Sequence, residues 1–384
     1  MKVSCLQEEL SKGLSVVGRA VSTKTTLPVL NHILIATETT DDGGRLKLAA
    51  TNLEISITYW VSAQVAEPGE ITIPARLLSE FISQLGNERV HMSLDEQTLS
   101  LNVRSARYEA NIKGIPAEDF PALPNVTNPG NSAEIASNVF RESVKQVAFA
   151  ASTDETRPVL TGLYASFSGD KVTMAAADSF RLAVKEASLL SSVSNNFSII
   201  LPARAMQELS RIVSDDDSPI EISVTANRSQ ALFKAQGIDF TSSLIEGSFP
   251  NFQHIIPKRF DTRTLINTAD LLKAVKVSSL FARDSGGNII RMSVTPGEDV
   301  TPGSVMLTAN AAEVGDNRNE LEATVEGQPA QIAFNAKYLN DVLDAINTAQ
   351  VAIELQSPSN PGVIKPVGKE DYTHVIMPMH LANR

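Results

Sequence analysis

Apolar residues near the start of the chain step as Leu6, Leu10, Leu14, Val17 and Val21, three or four apart, with polar residues between them. That spacing places them on one face of an amphipathic helix. A second helix is predicted after Pro74, where Leu77, Leu78, Phe81, Ile82 and Leu85 share a face. Between the two helices the period changes to two. Leu53, Ile55, Ile57, Tyr59 and Val61 alternate with polar residues, and Leu99, Leu101 and Val103 continue in that style. Strict alternation describes a half-buried strand, and a sheet wet on one face is antiparallel. The helical pattern returns at Phe140, Val144, Val147, Ala148 and Ala151, and again at Met206, Leu209, Ile212 and Val213. It returns once more at Leu271, Leu272 and Val275, and at Leu339, Val342, Leu343 and Ile346. Two short helices and many antiparallel strands in each stretch predict an α+β class.

The recurrence extends to individual residues. Ile73-Pro74-Ala75-Arg76-Leu77-Leu78 is echoed by Leu201-Pro202-Ala203-Arg204-Ala205-Met206, 128 residues on. Leu27-Pro28-Val29-Leu30 returns as Arg157-Pro158-Val159-Leu160 after 130, and Phe120-Pro121 as Phe249-Pro250 after 129. Leu48-Ala49-Ala50-Thr51-Asn52 matches Met174-Ala175-Ala176-Ala177-Asp178 after 126. A weaker third copy, Phe334-Asn335-Ala336-Lys337-Tyr338-Leu339, lies 133 residues beyond the second. Three times 128 is the whole chain of 384 residues. A period this long is a domain and not a solenoid unit. The turn-rich stretch 122–132 and the segment around Pro257-Lys258-Arg259 read as linkers. The expected domains are 1–124, 133–257 and 258–384.

Composition narrows the function. With 42% apolar and 20% charged residues the chain is an ordinary globular protein, and its longest apolar runs are too short to span a bilayer. Glu8, Glu9, Lys12 and Arg19 interrupt the first apolar stretch, which argues against a secretory leader. The single cysteine, Cys5, excludes an intrachain disulfide framework and a cysteine-based zinc cluster, and suits a reducing cytoplasm. The five histidines never stand four apart, so no helical metal pair is available. No metal, cofactor or membrane is expected. The net charge of −11 argues against a protein that grips nucleic acid by bulk attraction. Opposite the apolar stripes, however, the helices carry Lys12 and Arg19, Arg141 and Lys145, Arg204 and Arg211, and Lys273 and Lys276. If these faces gather, a positive surface forms inside an acidic shell. Phosphate attraction is screened beyond about 10 Å, so the local sign outweighs the total.

These residues also carry a resemblance. Thr26-Leu27-Pro28-Val29-Leu30, Ile73-Pro74-Ala75-Arg76, Asp119-Phe120-Pro121, Ala177-Asp178-Ser179-Phe180-Arg181-Leu182, Phe249-Pro250, Phe334-Asn335-Ala336-Lys337-Tyr338 and Val375-Ile376-Met377-Pro378-Met379-His380-Leu381 resemble the bacterial DNA polymerase III beta subunit family, the replicative sliding clamps. The match spans all three repeats. It implies three tandem DNA-clamp domains assembling head-to-tail into a homodimeric ring, with helices around a central hole and sheets outside. It implies a processivity factor, not an enzyme, working in the cytoplasm at the nucleoid. Its partners would be encircled double-stranded DNA, the replicative polymerase subunit, the clamp loader, and other polymerases and repair proteins bearing short peptide motifs. The resemblance assigns a peptide groove to Leu160, Ala177, Arg181, Leu182, Pro250, His254, Ile255, Asn335, Tyr338, Val351, and Val375, Ile376, Met377, Pro378, Met379 and His380. The basic residues above, with Lys24, would face DNA. Tyr108 and Phe281 would meet at the subunit joint. The chain departs from the family's pattern at Ser179-Phe180, where Gly then His or Tyr is common, at Ala177, where Thr is frequent, and at His380, where Arg is common.

Catalysis finds no support. The sequence holds no Gly-rich loop ending in Gly-Lys-Ser/Thr and no Gly-x-Ser-x-Gly. Asp215-Asp216-Asp217, followed by Ser218-Pro219, reads as a solvated loop, and Asp178 with Arg181 as an ion-paired turn. Two other classes stay open on the residues alone. One is an enzyme using Asn52, Glu54 and Asp178 in a cleft, and the other a scaffold that uses the groove without DNA.

Overall fold

A computed structural model describes residues 1–22, 25–40, 43–123, 129–282, 287–298, 301–311 and 315–379. Within them one order of elements, β-α-β-β-β-β-α-β-β-β, occurs three times. The first repeat runs β1 (Lys2–Leu6), α1 (Gln7–Val17), β2 (His32–Thr40), β3 (Gly43–Thr51), β4 (Ile55–Glu67), β5 (Glu70–Pro74), α2 (Ala75–Ser83), β6 (Arg89–Asp95), β7 (Ser100–Ser105) and β8 (Tyr108–Lys113). The second runs β9 (Pro129–Ala136), α3 (Ser137–Val147), β10 (Gly162–Ser168), β11 (Lys171–Ala177), β12 (Arg181–Ser188), β13 (Phe197–Pro202), α4 (Ala203–Ile212), β14 (Pro219–Thr225), β15 (Gln230–Ala235) and β16 (Ile238–Ser243). The third runs β17 (Thr262–Asn267), α5 (Thr268–Ala282), β18 (Ile289–Thr295), β19 (Gly303–Ala311), β20 (Gly315–Gly327), β21 (Ala330–Asn335), α6 (Ala336–Ala345), β22 (Gln350–Leu355), β23 (Gly362–Pro366) and β24 (Tyr372–Ile376).

The helical stripes do what their spacing predicts, with shorter reach. Leu10, Leu14 and Val17 are buried on α1, and Ala20 in the 3-10 turn after it. Leu6 is instead the exposed last residue of β1, and Val21 lies past the helix. On α2 the buried side is Ala75, Leu78 and Ile82, while Leu77 faces solvent. Packing of α1 on β3 and β4 is close. A methyl group at Gly13 would come within 3 Å of Leu48 and Tyr59, so only glycine lets the helix settle there.

Two strand expectations are corrected. Leu53 and Leu99 fit the alternation but sit in turns with φ of 74° and 48°. Thr51 Oγ1 accepts from Leu53 N–H, and Asn52 Oδ1 accepts from the N–H groups of Glu54 and Ile55. These side-chain bonds reverse the chain between β3 and β4, so β4 starts at Ile55. From there Ile57, Tyr59 and Val61 are buried as expected.

Contacts divide the chain into two compact units along a line different from the repeats. Unit 1 holds residues 1–138, 189–195 and 208–244; unit 2 holds 139–188, 196–207 and 245–384. Each has one 12-stranded antiparallel sheet system. Unit 1 orders its main path β8-β7-β6-β1-β4-β16-β15-β14-β9, with β3 also on β4 and β2 joining β3 to β5. Unit 2 runs β13-β10-β11-β12-β24-β23-β22-β17-β20-β19-β18-β21. The middle repeat therefore gives β9 and β14–β16 to one system and β10–β13 to the other.

The repeated sequence landmarks are packing partners. Val29 and Leu30 of the Leu-Pro-Val-Leu turn cluster with Leu34, Ala49 and Phe120 of the first Phe-Pro pair. In the second repeat Phe249 stacks on Tyr164 at 5.3 Å. Among the described residues no helix is long and apolar enough to cross a membrane.

Candidate functional site

The groove residues named by the sequence fall in unit 2, apart from His380, which lies outside the described residues. Their floor is a core cluster of Ala177, Leu182, Val363 and Val375, with Phe249, Phe252 and Ile256 packed against it. β12 and β24 build this floor by antiparallel pairing that sets Leu182 opposite Val375 and Arg181 opposite Ile376. After β24 the chain leaves the sheet but stays pinned. Met377 N–H donates to the Phe180 carbonyl and Met379 N–H to that of Ala333, each at 2.8 Å. Phe180, Ile255 and Met377 are 55%, 45% and 39% exposed.

Arg181 organises one end. Its turn is made by Asp178, whose Oδ1 accepts from the N–H groups of Phe180 and Arg181 at 2.7 and 2.9 Å. The guanidinium then donates Nε to Asp178 Oδ2 at 3.1 Å, Nη1 to Asp341 Oδ2 at 2.7 Å and Nη2 to the Phe149 carbonyl at 2.6 Å. It lies 4.5 Å from the Tyr338 ring centre and 5.4 Å from that of Phe149, distances at which a cation is attracted to a ring face. Asn335 caps α6, accepting from Lys337 and Tyr338 N–H, and so fixes where Tyr338 stands. Burial and the carboxylate of Asp178 raise the Tyr338 hydroxyl above its usual pKa.

Behind Arg181 lies a histidine absent from the predicted set. His374 is fully buried, stacked on Phe149 at 5.5 Å and on Tyr372 at 6.4 Å. Burial, with the positive Arg181 adding to it, lowers its pKa from 6.5 to about 3, so it is neutral. A period-two count through β24 would have found it, since Tyr372, His374 and Ile376 share a face. Phe149 and Asp341 gave no such signal; only the fold brings them to Arg181.

Among the sequence-named groove residues, Pro250, His254, Ile255 and Met377 are exposed and Leu160, Asn335, Tyr338, Pro378 and Met379 half-buried. Ala177, Arg181, Leu182, Val351, Val375 and Ile376 are buried.

The basic residues divide between the units. Lys12, Arg19 and Arg211 belong to unit 1, and Arg141, Lys145, Arg204, Lys273 and Lys276 to unit 2; Lys24 lies outside the described residues. All but the half-buried Arg141 are exposed. Several are met by carboxylates that sequence reading passed over. Arg19 and Arg211 both pair with Glu208, and Lys276 pairs with Asp344 at 3.0 Å. Tyr108 opens β8, exposed, and Phe281 is half-buried at the end of α5.

Two of the three residues of the catalytic alternative are engaged in turns. Asn52 and Asp178, equivalent by repeat, each spend a side-chain oxygen on a chain reversal. Asp216 is likewise engaged by Ser214 and Ser218 in the loop between α4 and β14. Among the described residues no three His, Cys, Asp or Glu side chains converge as a metal site.

Comparison with known proteins agrees along the whole length. Family models of the DNA polymerase III beta subunit match its N-terminal domain at residues 1–124, its central domain at 134–251 and its C-terminal domain at 253–380. The beta sliding clamp of Synechococcus elongatus is 32% identical over 383 residues, covering 99% of this chain and 100% of the relative. That of Staphylococcus aureus is 32% identical over 370 residues, covering 94% of each. Among solved structures, the DNA polymerase sliding clamp from Bacillus subtilis superposes with a TM-score of 0.91 at 28% identity over 100% of both chains. The Pseudomonas aeruginosa sliding clamp gives 0.89 at 26%, over 99% of this chain and 100% of the other. The chain, built from three tandem clamp domains, belongs to the DNA polymerase III beta subunit family.

Proposed function

We propose that this protein is a sliding clamp, the non-catalytic processivity factor of a replicative DNA polymerase. It encircles duplex DNA as a head-to-tail homodimer of domains 1–124, 133–257 and 258–384, in the cytoplasm at the nucleoid. The observation that carries the ring is the fate of the last strand of each repeat. β16 pairs with the first part of β4, from Ser242 opposite Ile55 to Ile238 opposite Tyr59. β24 pairs with the first part of β12, from Ile376 opposite Arg181 to Tyr372 opposite Lys185. Each last strand thus continues a sheet of the repeat before it. By the same rule β8 belongs on the first part of β20, in a second copy of the chain.

Both edges are available. Among the described residues the ladder partner of β8 is β7, and Gly315–Ala323 of β20 is paired along one side by β19. Unpaired strand edges are templates for association. Tyr108 stands at the start of β8. Phe281 follows Ser278 by three residues on α5, and the Ser278 hydroxyl donates to Asn317 on β20 at 2.9 Å. Tyr108 thus lies on one edge to be joined, and Phe281 on the helix bonded to the strand that carries the other, which supports them as anchors of the joint.

A closed ring holds DNA by topology, so a modest, sequence-blind basic lining suffices and the charge of −11 is no obstacle. The groove around Phe180, Ile255 and Met377 takes short peptides with apolar and aromatic anchors, from polymerases, the clamp loader and repair proteins. Methionine walls that repack suit several partners, with affinities of micromolar order (about −8 kcal/mol).

The test is loading onto a closed circular duplex by an ATP-driven loader. Loaded protein should persist through gel filtration at a salt concentration that abolishes binding to short linear duplex, and cutting the circle should release it. Retention on the linear product with free ends would reject the sliding ring. Phe281→Asp should sediment as a monomer and fail to be retained on the circle.

A further inference from the structure

Glu208 on α4 stands between two arginines. One carboxylate oxygen accepts from Arg19 Nη1 at 2.7 Å, and the other accepts from Arg211 Nη1. Arg19 lies in the turn after α1, so the contact joins helical segments of the first and second repeats inside unit 1. The side chains of Arg19 and Glu208 keep 35% and 27% of their surface in water. Ion pairs so exposed add little to folding stability and can exchange partners at small cost.

We infer that Glu208 is a built-in counterion that competes with DNA phosphates for Arg19 and Arg211 and keeps each phosphate contact short-lived. The inference rests on the proposal that these arginines face DNA. A guanidinium binds carboxylate and phosphate through the same planar set of donors. A carboxylate within reach therefore lets the arginine leave a phosphate by exchange, without passing through an unpaired state. Because each oxygen serves one arginine, either can swing to the duplex while the other holds the carboxylate in place. The ligand is the phosphodiester backbone of duplex DNA, read without regard to sequence.

The test uses the full-length protein, its Glu208→Gln and Glu208→Asp variants, and the double variant Arg19→Ala/Arg211→Ala. Each is titrated with short linear duplex over a range of salt, and its diffusion along long DNA is followed by single-particle tracking. Glu208→Gln should bind about 3- to 10-fold tighter at low salt, with a log–log salt slope steeper by about 0.9 for each phosphate gained. It should also diffuse more slowly. Glu208→Asp, with its carboxylate drawn back, should fall between, and it carries the test if the glutamine variant melts early. The double alanine variant should bind more weakly than the unaltered protein, and adding Glu208→Gln to it should change nothing. Unchanged affinity and slope in Glu208→Gln, with weakened binding in the double variant, would overturn the counterion while leaving the arginines on DNA. An unchanged double variant would remove the arginines from DNA and the inference with them.

Discussion

Arg181 and Glu208 are each a single ion shared by two of the opposite sign, and water separates their roles. The Arg181 side chain is 5% accessible, between Asp178 and Asp341. Its hydrogen bonds to the Phe149 carbonyl and its two aromatic neighbours leave no position for it to move to. Glu208 holds Arg19 and Arg211 at a wetted helix surface, where either partner can exchange with solvent. A similar count of charges thus makes a fixed scaffold in one place and an adjustable one in the other. Desolvation makes the difference: it penalises every rearrangement that leaves a buried ion unpaired, and an exposed ion pays almost nothing.

The largest way to break this contrast is to remove Arg181. Arg181→Met should destabilise unit 2 by about 3–5 kcal/mol in chemical denaturation, because Asp178 would lose its cation and the Phe149 carbonyl its donor, while Asp341 keeps only Lys337 at 2.9 Å. A loss below about 1 kcal/mol would place Arg181 in the exchangeable class with Glu208. The histidine behind it gives the next effect. His374 keeps a folded pKa near 3 against 6.5 when exposed, so the unfolded chain takes up a proton that the folded one refuses. Above pH 6.5 the group leaves stability unchanged; as pH falls from there toward 3 it lowers stability by about 1.4 kcal/mol per unit. His374→Phe should flatten that part of the stability–pH curve, and an equally steep curve in the variant would assign the loss to other groups.

Smaller effects sharpen the comparison at the surface. Phe180→Ala should weaken a motif peptide by about 1–2 kcal/mol in calorimetry and leave the melting temperature unchanged, since the ring is mostly exposed. A drop in melting temperature without loss of affinity would make Phe180 part of the scaffold. Last, a double-mutant cycle between Arg19 and Glu208 should give a coupling below about 1 kcal/mol for folding. A coupling several times larger would mean that the pair is structural after all.

The sequence exposed the repeats because their landmarks touch one another. Phe120 packs on the turn carrying Pro28 to Leu30, so the two motifs recur together wherever the domain recurs. Helix stripes were legible at their centres and not at their ends, where Leu6 and Val21 fit the period by chance. Leu53 and Leu99 show the same limit for strands: alternation cannot see an Asn or Thr side chain that turns the backbone. The family motifs name the proposed groove, and its exposed members lie on the tail and near the Phe180 turn. Its support was hidden, because Arg181 and Asp341 lie 160 residues apart in the chain. Glu208 was hidden for the same reason, 189 residues from Arg19. Nothing local to either residue marks the meeting.

The partition of the middle repeat between two sheet systems bears on how the chain is made. β4 ends at Glu67, and the strand that covers its first part, β16, begins at Ile238. At about 5–20 residues per second, the ribosome needs roughly ten to thirty seconds to deliver the second after the first. For that interval the nascent first repeat carries a bare strand edge on Ile55–Tyr59, flanked by the buried-facing side chains of Ile55, Ile57 and Tyr59. Folding of unit 1 is therefore finished by residues synthesised long after its beginning, and the waiting edge is where a nascent chain of this protein is most open to mispairing and to chaperones.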